Sequence, residues 1–185
     1  MDYQPRWVAE FQGIARQMRA RLPDQVTRID HIGSTSVVGL AAKDVIDLQL
    51  TVTDLTDNST TATLIELGYQ LRADLRFDNL VGLAEDDREL EKHYLAQAPN
   101  QREIHIHVRE QGRLNQQYPL LFRDYLRADA RTRAAYDQVK RELATRFAYD
   151  RHAYYAIKDP YMDTIYQAAC LWRDANGWQP DNDYL

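Results

Sequence analysis

Residues 44–52 alternate in character: Ile46, Leu48 and Leu50 fall on one side of an extended chain, and Asp47 and Gln49 fall on the other. Such a run is a strand with one face in a core. The acid on its opposite face then needs a reason, because an unpaired buried carboxylate is strongly unfavourable. Asp47 calls for a metal, a cation or a polar pocket.

The strands around it are legible by the same period of two. Residues 28–32 read as a short strand entering the turn Gly33-Ser34-Thr35-Ser36. Residues 69–72, 90–97 and 102–109 read as further strands, the last two joined by Ala98-Pro99-Asn100-Gln101. Before them, Trp7, Phe11, Ile14, Met18 and Leu22 recur at helical spacing over residues 5–22, and Pro23 ends that helix. A short helix over 60–67 has Asp57 or Asn58 as its cap and Gly68 as its stop. Residues 72–88 are polar and irregular, the best candidate for a mobile loop.

From Asn115 onward the pattern is helical. Leu120, Leu121, Phe122, Tyr125 and Leu126 mark one helix, and Tyr136, Val139, Leu143 and Phe147 mark a second. A third is expected to start at Asp159 as cap with Pro160 in its first position, burying Met162, Ile165, Tyr166, Ala169 and Trp172. With no repeat or flexible linker, residues 1–185 read as one α+β domain: an N-terminal helix, a mostly β middle and C-terminal helices.

Composition narrows the function classes. The net charge of -5 argues against a general nucleic-acid binder, which needs a basic face. No apolar stretch is long enough to cross a bilayer, no signal-peptide pattern opens the chain, and Cys170 is the single cysteine. The expectation is a cytoplasmic protein without membrane or nucleic-acid partners, its ligand a small phosphorylated molecule; the oligomeric state is not legible.

Two constellations carry chemistry. A strand running into Gly33-Ser34-Thr35-Ser36 exposes backbone N–H groups and hydroxyls suited to phosphate oxygens, and glycine permits close approach. In Glu103-Ile104-His105-Ile106-His107-Val108, the strand period places Glu103, His105 and His107 on one face. With Asp47 from a neighbouring strand, His105 and His107 make a mixed N/O set for a divalent metal ion such as Mg, Mn or Zn; the bland alternative is a polar groove. Cations for a phosphate ligand are available in Lys43, Arg123, Arg127, Lys140 and Lys158, and Tyr154 and Tyr155 could stack on a ring. Cys170 reads as a packing residue, and His93 and His152 show no evident partners.

A Gly-Ser turn followed, twelve residues on, by a strand acid resembles the nucleotidyltransferase signature of the polymerase-β type. That superfamily has a second acid two positions after the first, where this chain has Gln49, which offers a metal only a neutral carbonyl oxygen. The longer run from His31 through Asp47 resembles the hallmark of the GrpB family (UPF0157). The likeness continues through His105-Ile106-His107-Val108, through Phe122-Arg123-Asp124-Tyr125-Leu126-Arg127, and to Tyr136 and Lys140. Val38 and Asp44 depart from the family pattern. The resemblance implies a nucleotidyltransferase-like mixed β-sheet. Members of this family also occur fused to dephospho-CoA kinase, but this chain has no Gly-x-x-x-x-Gly-Lys-Ser/Thr loop.

The leading expectation is a metal-dependent nucleotidyl or phosphoryl transferase acting on a small acceptor. Asp47 is the catalytic residue; Asp47, His105 and His107 are the metal ligands; Gly33, Ser34, Thr35, Ser36, Lys43, Gln49, Arg123, Arg127, Lys140 and Lys158 are the phosphate or substrate contacts. The alternatives are a non-catalytic nucleotide, coenzyme or phosphometabolite binder and a metal-dependent phosphoesterase.

Overall fold

The structure is a computed structural model that describes residues 1–181. Five strands form one sheet in the order β1-β2-β5-β4-β3: β1 Val26–Ile32, β2 Ile46–Val52, β3 Gln70–Leu71, β4 His93–Ala96 and β5 Ile104–Glu110. All neighbours are antiparallel except β2 and β5, which run parallel with Asp47 opposite His105 and Gln49 opposite His107.

That register decides the architecture, because paired residues share a face. Ile46, Leu48 and Leu50 line up with Ile104, Ile106 and Val108 and are all buried. Against them pack Trp7, Phe11, Ala15 and Met18 of α1 (Arg6–Arg19) and Leu64 of α2 (Ser59–Glu66). The opposite face carries Asp47, Gln49, His105, His107 and Arg109. It looks toward α3 (Leu114–Ala128), α4 (Ala130–Arg146) and α5 (Arg151–Asn176), which bury a second apolar cluster with Val37, Leu40, Phe122, Tyr136 and Ile165. The sheet has a dry face closed by α1 and a polar face roofed by the C-terminal helices.

Asp44 has a defined role at the entry to β2. It accepts hydrogen bonds from Trp7 Nε1 at 2.7 Å and from Arg102 Nη2 at 2.8 Å, tying α1 to both central strands.

Two expectations need correction. α5 does not begin at Asp159; it begins after Asp150, whose carboxylate accepts from the Ala153 N–H at 2.9 Å, and it runs through Pro160. The cap residue was present nine positions upstream, and the packing of α5 against α3 holds the helix together across a proline that removes one ladder bond. Segment 72–88 is also anchored rather than loose. Asp78 within it accepts from Arg109 Nε at 3.0 Å and Asn115 Nδ2 at 3.1 Å, and it pairs with Lys92. Phe77 forms a bridge with Glu91.

Candidate functional site

The site begins where β1 ends. Gly33 has φ +70°, and a Cβ placed there would lie 2.3 Å from Asp47 Oδ2. Glycine is required twice over: for the backbone conformation and because the turn lies directly against the carboxylate of the next strand. Ser36 Oγ donates to Gly33 O at 2.6 Å, and buried Thr35 donates to Val45 O at 3.0 Å. Thr35 Oγ1 also lies 3.0 Å from Nε2 of His31, whose ring stacks on Phe11. Burial, with Arg127 and Arg123 nearby, pushes His31 down to about 3, so it is neutral.

Ser34 has a different environment. It is partly exposed on the cavity wall and meets the Lys140 ammonium, with Nζ 2.7 Å from its Oγ. Lys140 also donates to Ala41 O at 2.5 Å. Desolvation, with Lys158 adding repulsion, brings Lys140 down to about 7.

The floor is the polar face of β2 and β5. Asp47 Oδ1 lies 3.2 Å from His105 Nδ1 and 4.0 Å from His107 Nε2. On the far side of His107, Arg109 Nη2 donates to Nδ1 at 3.3 Å. A nitrogen that accepts from a guanidinium carries no proton, so the ring proton sits on Nε2, facing Asp47. Burial, reinforced by Arg109 and Lys92, holds His107 well below its ordinary value and therefore neutral. Arg109 also donates to Gln49 Oε1 at 2.7 Å, while Gln49 Nε2 donates to Gln116 O at 2.8 Å. Burial pushes the Asp78 carboxyl up, but Arg109 and Lys92 outweigh it and keep the group below its ordinary value.

The third wall is basic and aromatic. Lys43 Nζ lies 5.4 Å from the Tyr154 ring centroid, and Lys158 Nζ lies 5.4 Å from that of Tyr155. These walls enclose a cavity of about 630 Å³, lined by Gly33, Ser34, Thr35, Lys43, Asp47, His105, His107, Lys140 and Lys158 among others. The glycine-serine turn, the central acid and both imidazoles thus meet in one cleft.

Four residues expected at the ligand have other positions. Gln49 is fully buried with both ends of its amide bonded, so it offers nothing to a ligand or ion. Ser36 is buried behind the turn. Arg127 donates to Ser36 O at 2.9 Å, bracing the turn from behind. Arg123 reaches the cavity lining, but its guanidinium bonds His31 O at 3.0 Å and Asp124 at 2.7 Å. His93 has a partner after all, with Nδ1 2.7 Å from Thr61 Oγ1.

Sequence reasoning missed Arg109, Asp78, Lys92 and Tyr94, which also line the cavity. Arg109 was within reach, since it continues the alternation of His105 and His107. Asp78 and Lys92 meet it only through tertiary structure, and no local spacing announces them.

The donor set bears on a metal ion. Among the described residues no group of three His, Cys, Asp or Glu side chains is arranged to hold one. With its Nε2 protonated, His107 has no lone pair to give, and His105 makes its closest contact with Asp47 directly. Among the described residues a resident His/Asp cage of the Zn type is therefore not preformed. A hard divalent cation arriving with phosphate oxygens needs only one or two carboxylates from the protein, and Asp47 supplies one.

A five-strand mixed sheet with α1 on one face and the C-terminal helices on the other is a nucleotidyltransferase-like α+β fold. A chain of the GLD-2/RNP-8 complex shares this fold at a TM-score of 0.50 and 15% identity, over 82% of this chain and 48% of that one. More particularly, the chain belongs to the GrpB family: the family model described as GrpB protein matches residues 1–168. The crystal structure of the conserved protein GrpB from Enterococcus faecalis is similar, with TM-score 0.76 and 27% identity over 93% of this chain and 98% of that one. A protein of Mycolicibacterium paratuberculosis named dephospho-CoA kinase is 35% identical over 190 residues, covering 95% of this chain and 47% of its own. The chain thus spans about half the length of that relative. Among the described residues no helix is long and apolar enough to cross a membrane.

Proposed function

We propose that the cavity binds a nucleotide or other phosphorylated metabolite by its phosphate tail and transfers a nucleotidyl or phosphoryl group to a small acceptor. One observation carries this reading: three lysines far apart in the chain, Lys43 of the loop before β2, Lys140 of α4 and Lys158 of α5, line the same cavity as the Gly33-Ser34 turn and Asp47. Lys43 and Lys158 converge there as cations, the ion pair of Lys158 with Asp159 being long at 3.6 Å, and such converging charge is what a polyanion requires. Tyr154 and Tyr155 line the same cavity, with Lys43 and Lys158 over their rings, and supply flat apolar surface for a base or another flat group.

Most of the chemistry in such a transfer is positioning and charge neutralisation. Lys140 and Ser34 orient the phosphate tail, and Lys43 and Lys158 offset its charge. Asp47 would hold a divalent ion shared with the phosphate oxygens, which supplies Lewis-acid polarisation of the reacting phosphorus. His105 and His107 line the same floor beside Asp47 and hold the carboxylate in place, His105 Nδ1 lying 3.2 Å from its Oδ1.

The second reading, a binder without turnover, is favoured by Gln49, a buried neutral amide that leaves β2 with Asp47 as the one acid on its polar face. Incubation with labelled nucleotides and Mg²⁺ or Mn²⁺, following pyrophosphate release together with melting temperature, separates the two. Release that disappears in Asp47→Ala supports transfer. Thermal stabilisation with no release supports the binder, and neither response sinks both. The name of the mycobacterial relative makes dephospho-CoA a ligand to include in the same screen.

A further inference from the structure

Lys140 is held in an unusual way for a lysine whose only task is to attract phosphate. Its side chain is buried within the helical half, and its Nζ is fixed by two short contacts, 2.7 Å to Ser34 Oγ and 2.5 Å to Ala41 O. The groups around it are Lys158 of α5, Asp137 and Arg141 of α4 itself, Asp47 of β2 and the Tyr136 ring. Burial is the main influence favouring the neutral amine near pH 7; Lys158 and Arg141 add to it, and Asp137 and Asp47 oppose it. A neutral amine has N–H groups and one lone pair. In the structure Lys140 Nζ donates to both Ala41 O and Ser34 Oγ; once the amine is neutral its lone pair is free, and the same 2.7 Å contact can run the other way, with the Ser34 hydroxyl donating to Nζ. Ser34 is the one hydroxyl of the turn that is partly exposed, since Thr35 and Ser36 are buried and bonded to the backbone.

We propose that Ser34 is a nucleophile that accepts a phosphoryl or nucleotidyl group covalently, with Lys140 as the base that takes its proton. The transferred group rests on the reading of the cavity as a phosphate site; the activated hydroxyl does not. In the step, a bond forms between Ser34 Oγ and phosphorus, and the bond from phosphorus to the leaving oxygen breaks. The leaving group departs with the electron pair, and the hydroxyl proton moves to Lys140 Nζ. A buried amine beside a hydroxyl is one of the established ways to activate a serine.

The test uses the full chain and a fluorophosphonate, whose P–F bond breaks as the Ser34 Oγ–P bond forms. Peptide mass mapping is expected to place one adduct on Ser34, with a labelling rate that rises with pH and is half-maximal near 7. Ser34→Ala should abolish the adduct. Lys140→Met should slow labelling by about 100-fold or more, the usual contribution of a positioned base. Lys140→Arg keeps a donor and a charge but has no lone pair, so it should slow labelling to the same extent and guards against a folding defect in the methionine variant. A folded wild-type chain with no adduct on Ser34 overturns the proposal, as does an unchanged rate in Lys140→Arg. A parallel melting curve with nucleotide and Mg²⁺ keeps the two ideas apart. Stabilisation without any Ser34 adduct ends the nucleophile and leaves the phosphate site standing; an adduct without stabilisation does the reverse.

Discussion

Asp47 and Gln49 stand two residues apart on the same strand and the same face, yet they have opposite fates. Asp47 opens onto the cavity, with a 24% exposed side chain and His105 Nδ1 at 3.2 Å from its Oδ1. Gln49 has no exposure, and both ends of its amide are bonded, to Arg109 and to the Gln116 carbonyl. The strand therefore divides its polar face into an accessible site and a sealed ion network. The network fixes His107 and the anchored segment around Asp78; the site is left to meet a ligand. Where a second acid would stand in the superfamily pattern, this chain has built a support.

Removing Arg109 should break the support outright. Its side chain is 6% exposed and its loss leaves Asp78 short of its main partner and Gln49 Oε1 and His107 Nδ1 without a donor. Arg109→Met is expected to cost about 3–5 kcal/mol in urea unfolding, the usual range for breaking a buried pair from one side. A loss under about 1 kcal/mol would show the network to be dispensable.

Gly33→Ala comes next. Its φ of +70° and the 2.3 Å approach to Asp47 predict a cost of about 1–3 kcal/mol, together with weaker ligand binding as the carboxylate is displaced. Gln49→Glu sharpens the contrast further. The new carboxylate keeps Arg109 but faces the Gln116 carbonyl where an N–H stood, so it should lose about 1–3 kcal/mol and gain no metal-dependent activity. Enhanced Mg²⁺-dependent turnover in that variant would mean position 49 is reachable after all.

The site itself has a stability effect that depends on pH. Lys140 is brought down to about 7 from an ordinary 10.5. Between those values the unfolded chain binds the proton that the folded chain does not, so stability should rise as pH increases from 7 toward 10. Lys140→Met should flatten that rise, as read from urea midpoints across the window. An identical slope in the variant would show that the amine stays charged.

Much of this was legible in advance, and the reasons are local. Alternation assigned Ile46, Leu48 and Leu50 to the core and Asp47 to the other side, whereas the parallel register that sets Asp47 opposite His105 is visible only in the structure. The Gly33-Ser34 turn was equally plain. What escaped depends on distance along the chain. Asp78 and Arg109 are 31 positions apart, and their pairing exists only once segment 72–88 folds over the sheet. The start of α5 escaped for a different reason: Asp159-Pro160 has the form of a helix start, and tertiary packing overrode it in favour of Asp150. Gln49 was misassigned because periodicity gives a face but not a depth.

The most direct test of the phosphate site uses inorganic triphosphate, which carries the tail and nothing else. Calorimetric titration of the wild-type chain in Mg²⁺ should show saturable binding at one site, weakened at least tenfold in the double variant Lys43→Met/Lys158→Met. No binding by the wild type, or equal affinity in the double variant, would contradict the account.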